Sequence, residues 1–107
     1  MGDGYVVAAT SGERFDLGVI EMRLLVSSDQ TNGAFAMTEF QGAEGPWAIP
    51  HIHRGMEESF YVLEGDFTFT CGERDILAGP GSYVLVPRGT RHVMRAGASG
   101  GRFREIP

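Results

Sequence analysis

Turn signals fall so often along this chain that no long helix has room to form. Glycine occurs 16 times and proline 5 times in 107 residues, spread along the chain rather than clustered. Between them lie short runs rich in β-branched and aromatic residues, the pattern of strands joined by tight connections. Residues 56–63 come nearest to a helical apolar stripe, but Phe60, Tyr61 and Val62 in succession favour a strand. The expectation is an all-β protein with almost no helix.

Candidate strands cover 19–26, 34–40, 47–53, 59–63, 67–71, 83–86, 92–95 and 102–106. Glu64-Gly65-Asp66, Gly72-Glu73-Arg74-Asp75, Ala78-Gly79-Pro80-Gly81 and Pro87-Arg88-Gly89-Thr90 read as tight connections. Phe67, Phe69 and Cys71 alternate with Thr68 and Thr70, giving that strand one buried and one wetter face. About eight strands is the count of a jelly-roll sandwich or barrel. The length suits one compact domain, taken as 1–107, with 1–12 loosely ordered.

Charge and hydropathy exclude several functions. Nine basic against 14 acidic side chains leave a formal charge of −5, with no basic stripe to follow a phosphate backbone, so nucleic acid is not expected as a partner. The apolar runs are far shorter than the roughly 20 residues of a membrane-spanning helix. The opening Met-Gly-Asp-Gly-Tyr lacks a basic stretch followed by an apolar one, so no secretory signal is expected. The lone Cys71 cannot form an internal disulfide, which agrees with a cytoplasmic location.

Two of the three histidines are His51 and His53. Residues two apart on a strand project to one side, so both imidazoles could chelate one ion. Glu58 follows after a turn containing Arg54 and Gly55, and shares a strand face with Phe60 and Val62. The neighbouring Glu57 is the competing carboxylate; strand parity favours Glu58. His92 follows the turn at Pro87-Arg88-Gly89-Thr90, which would return the chain toward the same interior. Three imidazoles and one carboxylate about a divalent ion leave a net charge near +1 and open positions for an anionic oxygen donor. Nitrogen and oxygen donors without thiolate suit Fe, Mn, Ni, Co, Cu or Zn.

The spacing Gly45-x5-His51-x-His53-x4-Glu58-x6-Gly65 resembles the complete first cupin motif. Gly81-x5-Pro87-x-Gly89-x2-His92 resembles the second up to its last position, where Ala96 stands in place of the usual Asn. Thr31-x-Gly33-x-Phe35 leading to Glu39, then Tyr61-Val62-Leu63-Glu64-Gly65, Pro80-Gly81 and Arg102-Phe103 are similar to single-domain cupins often grouped with quercetin dioxygenase. This resemblance runs from about Leu17 to Ile106. Relatives often carry a C-terminal extension beyond the point corresponding to Pro107, so no lid from such a tail is expected.

The resemblance implies a metal held inside one end of a jelly-roll barrel by His51, His53, Glu58 and His92. It implies apolar walls drawn from Phe35, Met37, Trp47, Phe60 and Met94, with Trp47 and Met56 at the mouth. Glu39 reads as a surface residue or a partner of the site, and Arg54, Arg88 and Arg91 as solvated turn residues or holders of an acidic substrate. Three activities follow as expectations. The first is a dioxygenase acting on a small hydroxylated aromatic or enolisable substrate, with Glu58 taking its proton. The second is a metal-dependent isomerase, cyclase or decarboxylase of a biosynthetic pathway. The third is a non-catalytic module that binds a small ligand. Small cupins commonly pair as homodimers, and an exposed sheet edge needs covering; residues 19–26 are the candidate edge.

Overall fold

A computed structural model describes residues 4–48, 50–52 and 54–107. Its strands are β1 Arg14–Asp16, β2 Ile20–Val26, β3 Met37–Gly42, β4 Gly45–Pro46, β5 His51–Ile52, β6 Glu58–Cys71, β7 Arg74–Ala78, β8 Tyr83–Val86 and β9 Arg91–Ile106. Among the described residues the helical element is one short turn, Asp29–Thr31. The described residues form nine strands where about eight were expected.

The differences have local causes. Residues 59–63 and 67–71 form one strand, β6, because Glu64-Gly65-Asp66 makes a bulged bend rather than a hairpin turn. Likewise 92–95 and 102–106 are the two ends of β9. β1 and β7 were not expected: Arg14, Phe15 and Asp16 are all exposed, and β7 begins in the charged pair Arg74-Asp75, which reads as a turn, and buries only Ala78 at its end. Of the segment expected at 47–53, the described residues are strand at His51 and Ile52, and Trp47 N–H also donates to Met94 O on β9.

The sheet runs β1-β2-β3-β9-β6-β7 with all pairs antiparallel; β4 and β5 also pair with β9, and β8 with β6. Its spine is the β6–β9 ladder, from Ser59 opposite Ile106 to Cys71 opposite His92. Irregularities between Val62 and Glu64, and between Gly65 and Phe67, bend this ladder. They also exchange its faces. Phe60 and Val62 are buried before the bend and Phe67 and Phe69 after it, so the inward parity switches from even to odd numbers. A strand with strict period two could not bury both sets on one side.

The bend folds the ladder over its own apolar face. Phe103 sits 5.3 Å from Phe60 and 5.1 Å from Phe67 between ring centroids, and Phe60 lies 5.0 Å from Phe69. Trp47 closes the cluster, edge-on to Phe67 at 4.9 Å, with its indole N–H donating to Ala43 O at 2.9 Å. Glu58 begins β6 and His92 lies near the start of β9, at opposite ends of the flat ladder. Folding the ladder brings them together.

Candidate metal centre

His51 and His92 form a register pair between β5 and β9. Glu58 opens β6 opposite Val86 and is buried, as are Phe60 and Val62 two and four residues on. Ligand atoms of His51, Glu58 and His92 all lie within 4.8 Å of one another. Strand parity separates the two glutamates. Glu58 turns inward to His92, whereas Glu57 is exposed and takes the Arg88 guanidinium, Nη2 to Oε1 2.9 Å. That hydrogen bond holds the Glu57 carboxyl down to about 2. His53 lies outside the described residues.

One imidazole shows what the group can bind. His92 is 1 % exposed and its Nδ1 lies 2.9 Å from Thr90 O. A carbonyl only accepts, so the ring proton sits on Nδ1 and Nε2 faces the Glu58 carboxylate, 3.1 Å from Oε1. Lone pairs of a nitrogen and a carboxylate oxygen at that distance repel unless a cation, proton or metal, lies with them. Two ligands at right angles about an ion, each about 2.1 Å from it, stand about 3.0 Å apart. The donor set therefore fits a divalent ion. The Nδ1 bond to Thr90 fixes the ring as outer partners of metal-bound histidines do.

Beside these donors is a cavity of about 80 Å3 lined by Ile20, Phe40, Trp47, Ala48, His51, Met94, Phe103 and Glu105. Its volume equals that of two or three water molecules. Trp47 and Met94, named from the sequence as pocket residues, line it. Phe60 packs in the aromatic core, Met56 is exposed near the start of β6, and Met37 is half-buried opposite Val26. Phe35 lies elsewhere, in an outer groove with Arg14, Arg23, Arg102 and Arg104.

Two carboxylates take places that the sequence patterning did not assign. Glu105 shares the inward face of β9 with Phe103 and reaches both the cavity and Glu58. Burial raises its carboxyl to about 8, reinforced by the hydrogen bond that the protonated carboxyl donates to Glu58 and by the charge of Glu58. Alternation about Phe103 was the available signal for it. Glu39, expected at the surface or near the site, is buried on the sheet's other face. Phe40 next to it points inward, so Glu39 points outward, covered by Arg23, Arg102 and Arg104. Burial pushes its pKa up, but the hydrogen bond from Arg104 and the three positive charges prevail and hold it below the usual value.

Comparison with known proteins places this geometry. Residues 37–103 match the model of the cupin domain, a span that includes His51, Glu58 and His92. The chain belongs to the cupin family. A quercetin 2,3-dioxygenase from Bacillus subtilis is 31 % identical over 91 residues, covering 85 % of this chain and 27 % of that protein. The chain thus spans about a quarter of that relative. Among solved structures, the polyketide cyclase RemF from Streptomyces resistomycificus is 26 % identical, with a TM-score of 0.79 over 96 % of this cupin and 78 % of RemF. A predicted oxalate decarboxylase from Thermotoga maritima, 22 % identical, shares the fold with a TM-score of 0.84 over 95 % of this chain and 96 % of its own.

The metal-donor group and a sheet of about nine strands agree with that family. No helix among the described residues is long and apolar enough to cross a membrane.

Proposed function

We propose that this cupin is a dioxygenase that holds one divalent metal ion with His51, His53, Glu58 and His92 and acts on a small hydroxylated aromatic or enolisable substrate. The observation that carries the reading is the 3.1 Å approach of Glu58 to His92, with His51 completing a group within 4.8 Å. Kinship with the quercetin dioxygenase supports the reaction class.

A bound ion supplies Lewis acidity and, when redox-active, a means of activating dioxygen. The chain's residues do the rest. Glu58 stands where it can take the proton of a substrate hydroxyl, and Glu105 offers a second carboxyl beside it. Trp47, Met94, Phe40 and Phe103 wall the adjoining space with apolar surface and keep bulk water away from an anionic substrate. A cavity of about 80 Å3 does not enclose a flavonol. The fit is to the reacting edge of one ring or to a small enol, with the remainder outside.

A second reading, metal-dependent isomerisation, cyclisation or decarboxylation without oxygen chemistry, is favoured by the 26 % identity to a polyketide cyclase. Metal-loaded protein incubated with quercetin and with catechol, followed by an oxygen electrode, separates the two. Oxygen uptake above a His92→Ala control supports the dioxygenase. Turnover of an enolisable substrate under anaerobic conditions replaces it with the second reading, and ligand binding without turnover of any kind leaves a binding module.

Two further parts of the proposal concern setting. Residues 19–26, the expected edge, lie inside the sheet because β2 pairs with β1 as well as β3; the outer strand is β1, and the exposed apolar Phe15, Leu17 and Val19 on and beside it suit pairing of two copies as a homodimer. A cytoplasmic location is supported by the single half-buried thiol of Cys71.

A further inference from the structure

The outer face of the sheet holds a groove of about 740 Å3 on the side away from the metal-donor group. Phe40, Phe103 and Glu105 on β3 and β9 face the inner cavity, whereas their neighbours Glu39, Arg102 and Arg104 line the groove. Register sets Arg14, Arg23, Glu39 and Arg104 in one row across β1, β2, β3 and β9. Four of the nine basic side chains of this acidic chain thus line one groove, with a single carboxylate among them. Glu21 and Glu64, outside the groove, take Arg14 and Arg102, which leaves Arg23 and Arg104 against Glu39 with one positive charge in excess. The donors are spent unevenly. Arg23 is buried and gives its Nη groups to Ala8 O, Ser11 O and Glu39. Arg104 bonds Glu39 through Nε, 3.1 Å from Oε1, and its two Nη groups have no partner among the described residues. A guanidinium whose terminal fork is open matches a carboxylate, which accepts two parallel N–H bonds. Val7, Leu25 and the exposed Phe35 add an apolar wall to the same groove.

We propose that this groove binds a small organic monoanion, with its carboxylate on the terminal nitrogens of Arg104 and its apolar body against Leu25 and Phe35. A monoanion matches the single surplus charge, whereas a phosphate ester, with roughly two charges at neutral pH, exceeds it. The groove lies on the opposite face of β3 and β9 from His51, Glu58 and His92, so its failure to bind leaves the dioxygenase reading untouched.

The test is calorimetric titration with sodium benzoate, set against benzyl alcohol for the charge and acetate for the apolar body. Benzoate is expected to bind wild type about tenfold or more tightly than either. Arg104→Gln, which removes the open fork, is expected to weaken benzoate about tenfold, in the range for a lost hydrogen bond to a charged group. Arg74→Gln makes the same change in net charge at an exposed position on β7, outside the groove, and is expected to bind like wild type. Circular dichroism checks the fold. Phe35→Ser, outside the ion pairs, serves if Arg104→Gln misfolds, and about fivefold weaker benzoate binding is expected of it. Benzoate binding that neither Arg104→Gln nor Phe35→Ser weakens lies elsewhere, the metal centre included, and overturns the proposal. So does wild type that binds benzoate no better than benzyl alcohol, or Arg74→Gln that weakens it as much as Arg104→Gln. Wild type that ignores benzoate but sediments as a dimer that Arg104→Gln dissociates overturns it as well, because a second copy is then the occupant.

Discussion

His51 and His92 face each other as a register pair across β5 and β9, their ring centroids 4.2 Å apart and their planes inclined by 57°. Neither ring can reach the other by chance of rotamer. The two backbones are hydrogen-bonded neighbours, and one of the rings is tied to Thr90 O. These two donors are therefore built on strands rather than loops, and their imidazoles are in place before any ion arrives.

Preorganisation of that kind makes the ion a source of stability. With free metal at a hundred times its dissociation constant, binding adds about 2.7 kcal/mol. For a chain of this size that raises Tm by about 10 °C or more. His51→Ala and His92→Ala are expected to lose that increment. Calorimetric scans with and without Mn(II) or Co(II) check it; a full metal-induced shift in both variants contradicts the assignment.

Glu105 gives the metal-free protein a distinct pH profile. In the folded chain its carboxyl is raised to about 8 from an ordinary 4.5, first by burial and then by Glu58. The folded state thus holds the proton more tightly than the unfolded one. The contribution is fully present below pH 4.5 and is lost as the pH climbs toward about 8. Urea midpoints of chelator-treated protein should fall across that window, and Glu105→Gln should flatten the fall. An equal slope in the variant rules out this residue as its source.

Both the visible and the hidden parts of this site have physical reasons in the sequence. Glu58 and His92 share buried faces with Phe60 and Val62, and with Met94 and Ala96, whereas His51 could be read from its spacing to His53 and from the motif that the pair begins. Glu105 could not be weighed the same way: it sits in Arg102, Phe103, Arg104, Glu105, where charges outnumber the one aromatic that marks the inner face. Glu39 looked like surface because a buried carboxylate is recognised only by its partners. Those partners, Arg23 on β2 and Arg104 on β9, come from distant segments that register alone brings together. The strand boundaries shifted for a related reason. The bulges in β6 and the bends in β9 keep strands continuous through glycine-rich stretches that mimic turns.

Glu39→Gln tests the second carboxylate. At neutral pH it leaves Arg23, buried and bonded to Ala8 O and Ser11 O, without its anionic partner. The expected loss is about 1–3 kcal/mol, kept modest because Arg102 and Arg104 are partly solvated. The Glu39 pKa is lowered in the folded chain, so its contribution is present above the ordinary value of 4.5 and disappears as the pH falls through the folded value. The gap in urea midpoint between wild type and variant should therefore close in acid. A constant gap from neutral to acid pH argues against a charged Glu39.

Gly65 controls the bend that brings Glu58 to His92. Its φ is +79°, and a Cβ there would lie 2.1 Å from Gly100 O and 2.7 Å from Gly101 Cα, both backbone atoms that cannot swing aside. Gly101 in turn leaves room for the Phe67 ring, 2.6 Å from where its own Cβ would stand. Gly65→Ala thus combines left-handed strain of about 1 kcal/mol with a backbone clash. The total expected is about 3 kcal/mol or more, the range of severe overpacking. Because the clash forces β6 and β9 apart at their bend, metal affinity should fall along with the urea midpoint, although no ligand has been touched. Gly72→Ala, at a hairpin with φ +61° and open space around the new methyl, should cost only the strain and leave metal binding unchanged. Equal losses of affinity in the two variants would mean that the bend does not place Glu58.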